Sequence, residues 1–187
     1  GIARMKRWAR LERKMMRSNR RSRRIEFDGG ISLVDRAHLE TLEAFVTGPT
    51  EPADLPAPYR FRTTKRRIRL LFRRGGEEAW KFATILSAIG VPSSGIVAFK
   101  RVDRNERVIE TENIAPLDGA PGKDEIADMI YRLHRNVVAI RRPEALGRRT
   151  RDGAIVIARP EHLHLARSDG WIDELGRELG VLSLIHI

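Results

Sequence analysis

The sequence predicts an α+β fold, with an antiparallel sheet in a small mixed α/β first region. Three observations predict it. Two segments read as hairpins, one around Asp28-Gly29-Gly30 and one around Asp103-Arg104-Asn105-Glu106, each between runs of β-type residues. Two others, residues 77–89 and 124–133, place apolar side chains at helical spacing. The chain's 187 residues, 41% hydrophobic and 33% charged, suffice for one domain with a core or for two small lobes.

Charge is distributed very unevenly. Residues 1–24 carry Arg4, Lys6, Arg7, Arg10, Arg13, Lys14, Arg17, Arg20, Arg21, Arg23 and Arg24 against the single acid Glu12. They hold nearly all of the formal charge of +11 and leave 25 basic and 24 acidic residues for everything after them. The high pI thus describes an arm and not a fold. The absence of cysteine removes disulfides, thiolate metal sites and cysteine nucleophiles, and fits a reducing cytosol. No apolar run approaches the roughly 20 residues needed to cross a bilayer, and no signal-peptide pattern occurs within these residues. Gly1 at the start, and a last hexapeptide (182–187) resembling the translated end of a transposase-type sequencing adapter, lead us to expect that both ends are cut.

Taken in order, residues 2–17 suit a helix with Ile2, Met5, Trp8, Ala9, Met15 and Met16 leaning to one side and basic residues elsewhere. Such a helix lies on an anionic membrane surface or binds phosphates; the plainer alternative is a solvated helix packed on the domain. Ile25 and Phe27, then Ile31 and Leu33, form the first hairpin, whose glycine turn is also a weak candidate for covering a phosphate. Asp35 is placed to cap a helix running to about Val46, with Leu39, Leu42 and Phe45 on its buried side. Four prolines in residues 47–58 mark a linker. An extended stretch follows, with eight Lys/Arg between Arg60 and Arg74 as a second basic patch. Gly75-Gly76 breaks it, the helix 77–89 stops at Gly90, and Ile96–Phe99 with Val108–Glu112 makes the second hairpin. Residues 116–123 read as a boundary between lobes, and Asp124 as the cap of a helix striped by Ile126, Met129, Ile130 and Leu133. No internal repeat is evident.

Tyr131 to Glu161 has the layout of a catalytic segment: a helix ending in Leu133-His134, a short loop, a Pro-Glu turn, then Ile155-Val156-Ile157. Glu78-Ala-Trp-Lys-Phe82 through Ile89-Gly-Val-Pro92 resembles the regulatory helix and following turn of bacterial lipopolysaccharide (Kdo/heptose) kinases. Arg107 to Glu112 resembles the strand entering the kinase hinge, Leu133 to Val138 the lead-in to the catalytic loop, and Arg142-Pro-Glu-Ala-Leu146 a Lys-Pro-Glu-Asn stretch. The resemblance covers residues 60–165. It implies a kinase-like fold with a basic arm (1–24), a small mixed α/β N-lobe-like region (25–115) and the start of a mainly helical C-lobe-like region (116–181), truncated.

Phosphoryl transfer needs an Asp to take the hydroxyl proton, an Asn and an Asp on magnesium, and a Lys on the phosphates. The resemblance puts these at Ile140, Ala145, Ala158 or Arg159, and Leu70, so none of the four is met. Losing the general base alone costs about 10²–10⁴ in rate. ATP and magnesium, implied by the family, are not supported by these positions. Lys65, Glu78 and Glu112 remain as nucleotide contacts, and rescue would fall to Lys65 or Arg69 at phosphates and to Glu161 or Asp169 at a cation. Each has a plainer alternative: a solvated acid for Glu78, a dipole-matched helix end for His134. His162 and His164 on one strand face would supply only two metal ligands.

The expectation is a pseudokinase-like protein that binds an anionic membrane surface or a protein partner, cytoplasmic and peripheral at the inner face of the membrane. A nucleic-acid-binding basic protein is the alternative, and an active kinase with displaced metal ligands is a second.

Overall fold

In the computed structural model, the described residues are 10, 13–27, 30–40, 42, 59–62, 66–72, 76–101 and 107–165. The linker 47–58, most of the helix expected over 2–17, Arg4, Lys6, Arg7, Lys65, Asp169 and the last hexapeptide lie outside them. The chain forms two compact units, one of residues 1–81 and 95–113, the other of residues 82–94 and 114–187.

The first unit is built on one six-stranded antiparallel sheet. Its strands are β1 (Ser22–Phe27), β2 (Gly30–Asp35), β3 (Tyr59–Arg62), β4 (Arg67–Phe72), β5 (Ala98–Arg101) and β6 (Arg107–Glu112), in the order β1-β2-β5-β6-β4-β3. Both expected hairpins are present as β1–β2 and β5–β6. The stretch expected as one extended segment is two paired strands, β3 and β4. Between β4 and β5 runs helix α1 (Gly76–Ile89), closed by Gly90 at φ +73, a conformation that suits glycine.

Strand alternation gives the sheet two faces, and both are covered. Leu33, Phe99, Ile109, Leu70 and Phe72 share one face by register, and Phe99 meets Trp80 of α1 with ring centroids 6.2 Å apart. Val34, Leu71, Ala98 and Val108 on the other face bury Leu42 among them. Each such side chain contributes about 1.5–3 kcal/mol on burial.

The helix expected to start at Asp35 is corrected. Asp35 Oδ1 accepts from the Ala37 amide at 2.9 Å, but what it opens is a 3-10 turn, Arg36–His38; residues 41 and 43–46 of the expected helix, Phe45 and Val46 among them, lie outside the described residues. Asp35 is still the last residue of β2, and its amide is bonded to the Val97 carbonyl at 2.8 Å, so the cap serves a tight exit from the sheet.

The second unit is not mainly helical over its described residues: besides the end of α1 it holds α2 (Lys123–Arg135) and five short strands, β7 (Ala115–Pro116), β8 (Val138–Ile140), β9 (Leu146–Arg148), β10 (Ile155–Ile157) and β11 (Leu163–Leu165). Ile126, Met129, Ile130 and Leu133 form the buried stripe of α2 as expected. Its N-cap, however, is Gly122 and not Asp124; Glu125 reaches back and accepts from the Gly122 amide at 3.2 Å. Residues 92–94 lie alongside β10, with the Ile157 amide donating to the Pro92 carbonyl at 3.0 Å.

A repeat is in fact present in this unit. Residues 138–146 (VAIRRPEAL) and 155–163 (IVIARPEHL) share five of nine residues at an offset of 17. Each copy is a strand, an Arg before the turn, a 3-10 turn Pro-Glu-X and a Leu that opens a second strand. The pairing is reciprocal. Leu146 opposes Ile157 as Leu163 opposes Ile140, and Arg148 opposes Ile155 as Leu165 opposes Val138. Loop bonds obey the same exchange: Arg141 N–H donates to the His162 carbonyl and Ala158 N–H to the Ala145 carbonyl, both at 2.7 Å. The unit therefore carries a local pseudo-two-fold axis between the two Arg-Pro-Glu turns.

Candidate functional site

The catalytic-type segment is this doubled turn. Proline at the first turn position presets the backbone angle and donates no amide there, so Pro143 and Pro160 each start a 3-10 turn. Ile140 ends β8, fully inside and opposite Leu163. Ala145, also buried, offers its carbonyl to the amides of both Ala158 (2.7 Å) and Arg159 (3.1 Å). Three of the four kinase-implied positions thus lie on one pair of turns. Their side chains are an isobutyl-sized hydrocarbon and two methyls, which neither take a proton nor hold a cation. Leu70, the fourth, sits inside the first unit's sheet opposite Ile109.

In the second copy of the turn, charge is paired internally. Arg159 Nε is ion-paired with Glu161, whose side chain is only 7% exposed. Glu161 Oε1 is therefore occupied by a guanidinium. His162 is not on a strand face with His164, as expected, but within the second 3-10 turn, because Pro160 delays the start of β11 to Leu163. Burial holds the His162 imidazole below its ordinary 6.5; Glu161 opposes this, Arg159 and Arg142 add to it, and Glu144 opposes it. Among the described residues no group of three or more His, Asp or Glu is placed to hold a metal ion.

In the first unit, Glu78 is exposed in the first turn of α1, and Glu112 ends β6 opposite Arg67. The acid the sequence reading passed over is Glu110. It is 2% exposed, with Arg69 Nε 3.1 Å from Oε1 and Arg67 3.2 Å from Oε2, so Arg69 is engaged here. Beside it on the same face lies Lys100, buried, its ammonium lowered below 10.5 by burial and by the Arg69 charge. Alternation over Val108, Glu110 and Glu112 was the available signal. It became specific only once β4 was known to lie against β6.

The basic arm is partly docked. Residues 13–15 are helical; Met15 is buried and its carbonyl accepts from Trp80 Nε1 at 3.1 Å. The Met16 carbonyl accepts from Arg24 at 3.0 Å. Asn19 Oδ1 accepts from the amides of Arg21 (2.8 Å) and Ser22 (2.9 Å), and Ser18 Oγ from that of Arg24 (2.9 Å). These side chains satisfy the outward amides of edge strand β1. Arg36 Nε ties the turn down on the Asn19 carbonyl at 2.9 Å. Arg10, Arg13, Lys14, Arg17, Arg20, Arg21 and Arg23 are left exposed.

No helix among the described residues is long and apolar enough to cross a membrane. Compared with protein-family models, with characterised proteins and with solved structures, the chain matches none.

Proposed function

We propose that this chain is a kinase-like protein, similar to the bacterial lipopolysaccharide kinases, that has lost phosphotransfer chemistry and acts by binding. The observation that carries the reading is the Ala145–Ala158 bond. The positions where the resemblance calls for magnesium ligands, Ala145 and Ala158 or Arg159, are joined backbone to backbone and present methyl groups or a guanidinium engaged by Glu161. The order of elements from β4 through α1, the β5–β6 hairpin, α2 and the Pro-Glu turns agrees with the order the resemblance implies. Engagement of Glu161 by Arg159, and of Arg69 by Glu110, weighs against displaced ligands taking over. The binding surface is the basic arm, which suits a cytoplasmic protein lying peripherally at the inner face of a membrane.

Calorimetric titration of the intact chain with ATP, with and without magnesium, tests the loss of chemistry. No magnesium-dependent heat, and no phosphate transfer from labelled ATP to lipopolysaccharide core sugars, is expected. Transfer that disappears in Lys65→Ala or Glu161→Gln would overturn the reading in favour of an active kinase.

A further inference from the structure

We propose that the arm binds the phosphate headgroups of an anionic membrane by charge alone, without inserting into it. This names the partner of the binding reading above and stands on that reading.

Six cations of the arm, Arg10, Arg13, Lys14, Arg17, Arg20 and Arg23, are exposed and meet no acid among the described residues. Elsewhere in the same unit the pattern is different: Arg67 and Arg69 share Glu110, and Arg101 and Arg107 share Glu77. The fold consumes the charge of the sheet arginines and leaves that of the arm available.

The apolar side of the arm is treated the opposite way. An amphipathic helix that enters a bilayer needs its apolar face free. Here Met15 is buried with its carbonyl held by Trp80, and Met16 is half-buried with its carbonyl held by Arg24. Over this stretch the protein's own core has taken the residues that insertion would use. Among the described residues of the arm, what remains exposed is chiefly guanidinium and ammonium groups, on a backbone held by Asn19, Ser18 and Arg36. Because that backbone is already ordered, little conformational entropy is lost when a charged plane is met.

Nucleic acid shares the phosphate chemistry but fits less well. Single strands are gripped by stacking bases on exposed aromatics. Among the described residues the one large exposed apolar side chain is Tyr131, which belongs to the other unit. Groove readout needs a projecting helix or ribbon. The one helical turn described in the arm is seated by Met15.

The test is co-sedimentation of the full chain with vesicles of phosphatidylcholine containing about one-third phosphatidylglycerol, where charge attraction falls with salt. Binding is expected to these vesicles and not to phosphatidylcholine alone, with release as salt rises from about 0.05 to about 0.5 M. Replacing Arg13, Lys14, Arg17, Arg20 and Arg23 by Gln should weaken partitioning about fivefold per cation removed. The melting temperature should not change, since these side chains are exposed. No binding to anionic vesicles, binding that survives high salt, an unaffected five-site variant, or tighter retention on duplex DNA or RNA at equal salt would each overturn the proposal. None of these outcomes touches the loss of phosphotransfer, which the ATP titration decides separately.

Discussion

Glu110 stands directly opposite Arg69 across the β4–β6 ladder, and its Oε1 accepts the Arg69 Nε–H at 3.1 Å. Arg67, two residues along β4, reaches the other carboxylate oxygen at 3.2 Å. One nearly enclosed acid thus neutralises two quarter-exposed guanidiniums. Glu110→Ala should cost about 3 kcal/mol, because it removes the carboxylate that two guanidiniums share on a covered face. The combined Arg67→Met, Arg69→Met, Glu110→Leu variant should cost less than Glu110→Ala alone. Urea denaturation of the two variants checks this, and the reverse order would refute the buried network as the cause.

Gly147 in β9 leaves no room for a methyl group. A Cβ there would lie 2.6 Å from Ile114 Cγ2, 2.8 Å from the Ala115 carbonyl and 2.8 Å from Ala158 Cβ. All three neighbours belong to or adjoin strands that pair with β9, so they have little freedom to retreat. Gly147→Ala is expected to cost about 1–3 kcal/mol by overpacking. A melting temperature equal to the parent's would show that β7 and β9 yield more easily than their hydrogen bonds suggest.

Val137 links α2 to β8 with φ at +57, a conformation that a β-branched residue adopts at a cost. Its amide is bonded to the His134 carbonyl at 2.9 Å, which holds the turn in place. Val137→Asn should stabilise the protein by about 1 kcal/mol, since Asn accepts the left-handed region more readily. Thermal denaturation reads the change directly; a loss of stability would mean that the isopropyl group packs for more than its backbone costs.

His162 gives the doubled turn a defined pH dependence. Its folded pKa is lowered, so the folded state favours the neutral ring, facing Glu161, Arg159, Arg142 and Glu144. In the window between the lowered value and 6.5 the unfolded chain binds the extra proton, so stability rises with pH through that window and is lost on acidification. The imidazole titration followed by NMR should have its midpoint below 6.5. Glu161→Gln should lower it further, because Glu161 is the nearest group favouring the charged form. An upward move would disprove that assignment.

Local signals recovered the hairpins. Asp28-Gly29 and the polar turn before Arg107 sit between alternating runs, and both strand pairs formed with their ends within two residues of expectation. Asp35 misled because a cap residue reports only that some turn begins, not how far it continues. The doubled turn was hidden although Arg142-Pro143-Glu144 and Arg159-Pro160-Glu161 are printed in the chain. His162-Leu163-His164 reads as period-two alternation, and only the backbone after Pro160 shows that the first histidine belongs to a turn. Alternation alone could not show the burial of Glu110, since its partners on β4 precede α1 in the chain.

The reciprocal pairing of β8 with β11 and β9 with β10 has a kinetic consequence. The two ladders are nested, with the inner one closed by residues 149–154, where Arg149 and Asp152 bridge at 2.8 Å and the Arg149 amide meets the Ala154 carbonyl at 2.8 Å. Closing that short loop first leaves only the two proline turns between the inner ladder and the outer one, and the entropy of joining β8 to β11 falls accordingly. Folding of this unit should therefore zip outward from Asp152. Substitutions at that tip should slow folding, and those in β11 should mainly speed unfolding.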